Sequence, residues 1–207
     1  SDMETAEETL ARTRVIIEKI LSYNDDRFKV MVAPHAPYSC SKELLKGSLE
    51  LARELQLKLH IHVAETQAEN GMILERYGKR PLAFLKELGY LEHEGIFAHG
   101  VELNEREIEE LTASKIHIAH NPISNLKLAS GIAPVTDLIQ AGVTVGLATD
   151  SVASNNNLDM FEESRTAALL QKMRTGDATQ FTIEQALKTM TIEGAKALGM
   201  DDQIGSL

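Results

Sequence analysis

Five short apolar segments of the chain each end in a side chain that can bind a metal or move a proton: His35, His62 with Glu65, His99, His120 with Asn121, and Asp150. Imidazole nitrogens with a carboxylate form a borderline-soft ligand set, suited to zinc and tolerant of iron, nickel or manganese. His62 and Asp150 are the ligand candidates, because each stands where a strand passes into its loop. A divalent ion lowers the pKa of a bound water to about 7, which makes hydroxide available at neutral pH. Glu65, three residues after His62, leaves the strand over the same pocket and can shuttle a proton. His99 can orient the nucleophile or polarise a substrate. The chain's single cysteine, Cys40, cannot supply the Pro-Cys-Xaa-Xaa-Cys segment of the zinc deaminases that act on extruded bases. Cys40 reads as a small buried or loop residue.

The segments that must position these groups alternate between two kinds. Residues 4–21 carry Ala6, Leu10, Ile17 and Leu21 at helical spacing. Lys29–Ala33 is a short apolar strand running into Pro34-His35-Ala36-Pro37, and Ser41 caps the helix that follows. The second strand is Lys58–Val63, succeeded by helices over about 67–77 and 82–88. Gly95–His99 is the third strand, and Asn104 with Glu107 predicts a capping box for the next helix. Ile116–His120 is the fourth, running into Asn121-Pro122. Pro134 opens a helix that Gly142 ends, Val143–Ala148 is the fifth strand, and two helices close the chain, the last capped by Thr182 with Gln185. The Asn155-Asn156-Asn157 run suits a cap or turn, because Asn tolerates the left-handed region.

Five strands separated by helices imply parallel pairing. Successive spacings from His35 through His62, His99 and His120 to Asp150 are 27, 37, 21 and 30 residues, each suited to one βα unit. Reactive side chains at the C-terminal ends of many strands fit a (β/α)8 barrel, whereas an open doubly wound sheet concentrates them at one switch point. The fold class expected is therefore α/β, a partial (β/α)8 barrel.

A formal net charge of −10 argues against nucleic acid or an anionic membrane as partner. One cysteine and the lack of a basic leader in Ser1-Asp2-Met3-Glu4 fit a reducing compartment, most simply the cytoplasm. The chain opens almost directly into a helix and stops at Gly205-Ser206-Leu207, as expected of a portion of a longer protein.

Several long motifs then become specific. His62-Val63-Ala64-Glu65-Thr66, Ala98-His99-Gly100, His120-Asn121-Pro122-Ile123-Ser124-Asn125-Leu126-Lys127-Leu128 and Thr149-Asp150 resemble the aminohydrolases of the amidohydrolase superfamily. Ala33–Cys40 and Ala153–Met160 are similar to the 5-methylthioadenosine/S-adenosylhomocysteine deaminases within it, and the likeness runs from about Lys29 to Met200. Ser151-Val152 depart from the glycine and alanine more usual there.

His60-Ile61-His62 has the form of the His-Xaa-His pair that this superfamily carries on barrel strand one. Strands one and five, however, lie about 100 residues or more apart, whereas His62 and His99 are separated by 37. His62 therefore belongs to strand five, the strand-one pair lies upstream of Ser1, and His60 is a core histidine one pleat deeper. Residues 1–207 are expected to be one domain, about strands four to eight, without the upstream strands and the flanking β-sandwich.

The resemblance implies a role for each residue in hydrolytic deamination of an adenine nucleoside through metal-activated hydroxide. His62 and Asp150 are metal ligands, for zinc above all, completed by two histidines upstream. Glu65 binds the purine ring and protonates a ring nitrogen, Asp150 accepts the water proton, and His99 lies beside the hydroxide. His35 contacts the ribose, and Ser154 reaches the substrate. The related alternatives are amino- or chlorohydrolases of guanine and triazine type. With two ligands of four, the chain alone is expected to bind metal weakly and not to turn over. Its open barrel edges favour pairing with another chain or a homo-oligomer, and a non-catalytic fragment is the reading of a different class.

Overall fold

The computed structural model describes residues 4–25 and 27–206, so Ser1-Asp2-Met3 and Leu207, parts of the two chain ends considered above, lie outside the described residues. In order come helix α1 (Ala6–Leu21), strand β1 (Met31–Val32), α2 (Lys42–Leu55), β2 (Lys58–Val63), α3 (Gln67–Tyr77), α4 (Pro81–Leu88) and β3 (Gly95–His99). They continue as α5 (Glu105–Thr112), β4 (Ile116–His120), α6 (Pro122–Lys127), α7 (Val135–Gln140), β5 (Val145–Leu147), α8 (Val152–Asn155), α9 (Met160–Thr175), α10 (Ile183–Met190) and α11 (Ile192–Leu198).

All the strands form one parallel sheet in the order β1-β2-β3-β4-β5. A sheet wound in one direction without reversal is an arc of a barrel, since a doubly wound sheet changes direction at its switch point. Paired residues share a face. The row Ile61, Phe97, Ile118 and Val145 runs across β2 to β5, each at most 1% exposed, and forms the apolar face under the helices. The opposite face carries His60, His62 and His117, all half-buried. His60 is thus on the face of His62, two residues deeper, with the rings 6.5 Å apart, as its strand parity requires.

The caps follow the sequence. Ser41 accepts from the Leu44 amide, and Asn104 with Glu107 and Thr182 with Gln185 close two-way capping boxes. Four features differ from expectation. The strand expected over Lys29–Ala33 pairs only at Met31–Val32, and that expected over Val143–Ala148 only at Val145–Leu147. Pro122 begins a helix, because proline is pre-set for the first helical position. Four helices rather than two follow Asp150: left-handed Asn156 (φ 85°) ends α8 after one turn, and Thr191 (φ −130°, ψ −95°) breaks α10 from α11.

Helix α11 lies on the histidine-bearing face. Gly146 pairs with Ala119, which shares that face, and a Cβ on Gly146 would stand 2.9 Å from the Gly194 Cα. At the start of β2, Lys58 Nζ donates to the Ala197 carbonyl at 2.9 Å across 139 residues of chain. On the other side of the sheet, fully buried Tyr90 donates its hydroxyl to the Leu45 carbonyl at 2.8 Å. Removing that hydroxyl in Tyr90→Phe is expected to cost about 1–2 kcal/mol, seen as a lower urea midpoint at unchanged slope.

Candidate active site at the C-terminal rim of the sheet

Parallel pairing brings the C-terminal ends of β1 to β5 to one rim, and His35, His62, Glu65, His99 and Asp150 stand there in chain order. The His62 and His99 rings lie 5.4 Å apart, nearly parallel at 24°, and the His35 and His62 rings 4.9 Å apart. Glu65 Oε2 is 3.8 Å from His99 Nε2.

Hydrogen bonds fix how each group faces. The His35 carbonyl accepts from the His62 amide at 3.1 Å and lies 2.5 Å from His62 Nδ1. A carbonyl only accepts, so Nδ1 is the donor there, and Nε2 is the ring nitrogen that would face a metal. A backbone carbonyl behind the ring is the usual arrangement for a metal-binding histidine. His35 itself is exposed, with Nδ1 2.6 Å from Ser39 Oγ. His99, 1% exposed, has Nδ1 2.8 Å from Asn125 Oδ1. Asp150 Oδ2 accepts from Ser124 Oγ at 2.6 Å and Ser154 Oγ at 2.8 Å, while Oδ1 accepts from the Ser151 amide at 2.8 Å. Burial pushes the Asp150 carboxyl up, but these three hydrogen bonds and the nearby His99 charge outweigh it and hold it below the usual carboxylate range. Ser154, expected at the substrate, donates its hydroxyl to Asp150.

The backbone is bent to achieve this. Ala64 (φ 52°), His99 (φ 76°) and Asp150 (φ 60°) each adopt the left-handed region at or just past a strand end. Such a conformation costs a non-glycine residue about 1–3 kcal/mol and collects at functional sites.

Sequence reasoning missed four residues. Ser124 and Asn125 on α6 hold Asp150 and His99, although both stand in the motif that carried the resemblance. Glu69, 1% exposed, accepts from the Glu65 amide at 2.8 Å. Glu163, fully buried, accepts from Asn155 Nδ2 and the Ile123 amide. His120 lies 1% exposed with neither ring nitrogen bonded among the described residues, and burial, with some help from the His99 charge, pushes its ring down to about 3. A histidine buried in this way packs the rim.

His62 Nε2 and the Asp150 carboxylate match the nitrogen and oxygen donors of a divalent-metal site. Among the described residues no group of three or more His, Cys, Asp or Glu side chains is disposed to hold an ion. No helix among them is long and apolar enough to cross a membrane.

The chain belongs to the amidohydrolase family, whose model matches residues 2–207. It is 44% identical over 206 residues to a 5'-deoxyadenosine deaminase of Methanobrevibacter smithii, covering 100% of this chain and 47% of that one. It is 50% identical over 186 residues to a 5-methylthioadenosine/S-adenosylhomocysteine deaminase of Bacillus cereus, covering 89% and 42%. Among solved structures, an adenosine deaminase from Xanthomonas campestris with bound zinc superposes with a TM-score of 0.90 at 40% identity, over 97% of this chain and 45% of that one. The chain thus spans about half the length of the curated relatives it matches.

The buried carboxyl that braces Glu65 yields a test. Burial raises Glu69 to about 7, against lowering by backbone hydrogen bonds from Glu65 and Ala64. An unfolded glutamate titrates near about 4.3. With the folded value the higher one, the native state binds more protons between the two, so the favourable contribution is complete at low pH and fades as pH rises through about 7. Glu69→Gln should therefore gain stability relative to the unmutated chain between pH 5 and pH 8 in urea titrations. A difference that does not change with pH would contradict this.

Proposed function

We propose that this chain is the C-terminal barrel portion of a metal-dependent hydrolytic deaminase acting on adenine nucleosides and their thioethers, such as 5-methylthioadenosine and S-adenosylhomocysteine. The observation that carries the reading is the set of strand-end groups on one rim: His62 with Nδ1 turned to the His35 carbonyl, Glu65 beside His99, and Asp150 held by Ser124 and Ser154. The deaminase names of relatives at 44% and 50% identity support the substrate class.

In this reading His62 and Asp150 are two ligands of one divalent ion, zinc in the first place, and residues on upstream strands supply the others. The bound ion makes a water nucleophile available near neutral pH. Glu65 hydrogen-bonds the purine ring and gives a proton to a ring nitrogen as the water oxygen adds to the amino-bearing carbon. Asp150 takes the proton that the water loses. The C–N bond then breaks, the amino group leaves as ammonia with that proton, and the remaining hydroxyl proton returns to Glu65 as the ring carbonyl forms. His99 fixes the approach of the water, and His35, exposed at the rim, meets the ribose. Residues 1–207 form one domain of the longer barrel, working in the cytoplasm, and the outer edges of β1 and β5 join it to the remaining strands or to a second chain.

Two measurements test this. The full-length barrel protein should release ammonia from adenosine, 5-methylthioadenosine or S-adenosylhomocysteine, and Glu65→Gln should lower kcat by about 100-fold or more. Release of ammonia from guanine alone, or of chloride from a chlorotriazine alone, would move the protein to the related hydrolases. Residues 1–207 by themselves should bind zinc substoichiometrically and give no turnover. Tight stoichiometric zinc with activity in that piece would overturn the division of the ligand set.

A further inference from the structure

Helix α6 touches two members of the candidate site at once. Its adjacent residues Ser124 and Asn125 are 0% and 1% exposed. Ser124 Oγ donates to Asp150 Oδ2 at 2.6 Å, and Asn125 Oδ1 lies 2.8 Å from His99 Nδ1. An amide oxygen only accepts, so His99 Nδ1 carries a proton toward Asn125, and Nε2 faces the rim, where Glu65 Oε2 is 3.8 Å away. Successive residues on one turn therefore set both the orientation of an imidazole and the rotation of a carboxylate.

The helix is itself fixed from behind by one buried carboxylate. Glu163 on α9, with no exposed surface, accepts from the Ile123 amide on α6 at 3.3 Å and from Asn155 Nδ2 on α8. The same Asn155 Nδ2 donates to the carbonyl of Thr149, the residue before Asp150, at 2.6 Å. Glu163 thus ties down α6 and the Asp150 backbone together.

We infer that α6 is the alignment element of the site, in which Ser124 and Asn125 are positioning residues for Asp150 and His99 and Glu163 is their common anchor. The kinetic part of this inference rests on the deaminase reading; the placement of the His99 proton does not.

The experiment uses the full-length barrel protein labelled with 15N-histidine. Long-range 1H–15N correlation reports which nitrogen of His99 carries the proton, with the resonance assigned by its loss in His99→Gln. The Nδ1–H form is expected in the unmutated protein, retained in Asn125→Asp, which keeps an acceptor, and lost as the preferred form in Asn125→Leu. Asn125→Leu and Ser124→Ala should each lower kcat by about 10- to 100-fold, the usual range for groups that orient metal-site ligands, with a much smaller change in KM. Ser124→Thr should restore most of the loss. The double variant should lose less than the product of the two single losses, as for residues acting through one element. Glu163→Gln should disturb both the His99 signal and kcat; a change in only one would remove its role as common anchor.

An Nε2–H ring in the unmutated protein, or an unchanged ring and kcat in Asn125→Leu, would overturn the positioning role. If the unmutated protein deaminates no adenine nucleoside, the functional reading fails while the His99 signal still decides the placement claim. If it is active and both single variants match it, the functional reading stands and the alignment role of α6 falls.

Discussion

Parallel pairing of consecutive strands leaves one place for the polar chemistry of this chain to gather. When β1 to β5 line up in sequence order, every strand runs the same way and every outgoing loop leaves by the same rim. Groups as far apart in sequence as His35 and Asp150 become neighbours of the same surface without any long loop reaching across. The register then sorts faces: Ile61, Phe97, Ile118 and Val145 go under the helices, and His60, His62 and His117 go to the opposite side. Burial of the first row stabilises the sheet, and the second row inherits its position from that burial.

At the rim the balance of forces reverses. Ala64, His99 and Asp150 hold left-handed backbone that their side chains disfavour. Glu69 and His120 are kept in their neutral forms by burial over much of the pH range. What opposes these costs is a set of short polar contacts across elements: the His35 carbonyl behind His62, the α6 pair on Asp150 and His99, and Glu163 between α6, α8 and α9. These contacts hold the rim groups in fixed orientations, as a site for chemistry requires.

The elements were legible where the signal was local. Ser41, the Asn104–Glu107 pair and the Thr182–Gln185 pair mark helix starts within three or four residues, and each caps as expected. The strand-end histidines and Asp150 were legible because their spacings match βα units. What escaped reading depends on distance along the chain. Ser124 meets Asp150 and Asn125 meets His99 across 26 residues each, and Glu163 meets Ile123 across 40. The six-residue α6 is too short to show an apolar stripe, and no glycine marks the bent backbone at Ala64, His99 or Asp150. A pattern of residue types carries the ligands of a site more readily than the groups that aim them.

The Lys58–Ala197 contact has a consequence for the order of events during synthesis. Each strand from β2 to β5 can pair with its predecessor as it leaves the ribosome, because neighbours in the sheet are neighbours in the chain. The lysine at the foot of β2 must wait 139 residues for its acceptor, until α11 has emerged. A contact of such long range carries a large loop-closure cost and forms late. The histidine face near β2 therefore stays uncovered while those 139 residues are made, and α11 acts as a latch drawn across a sheet already assembled.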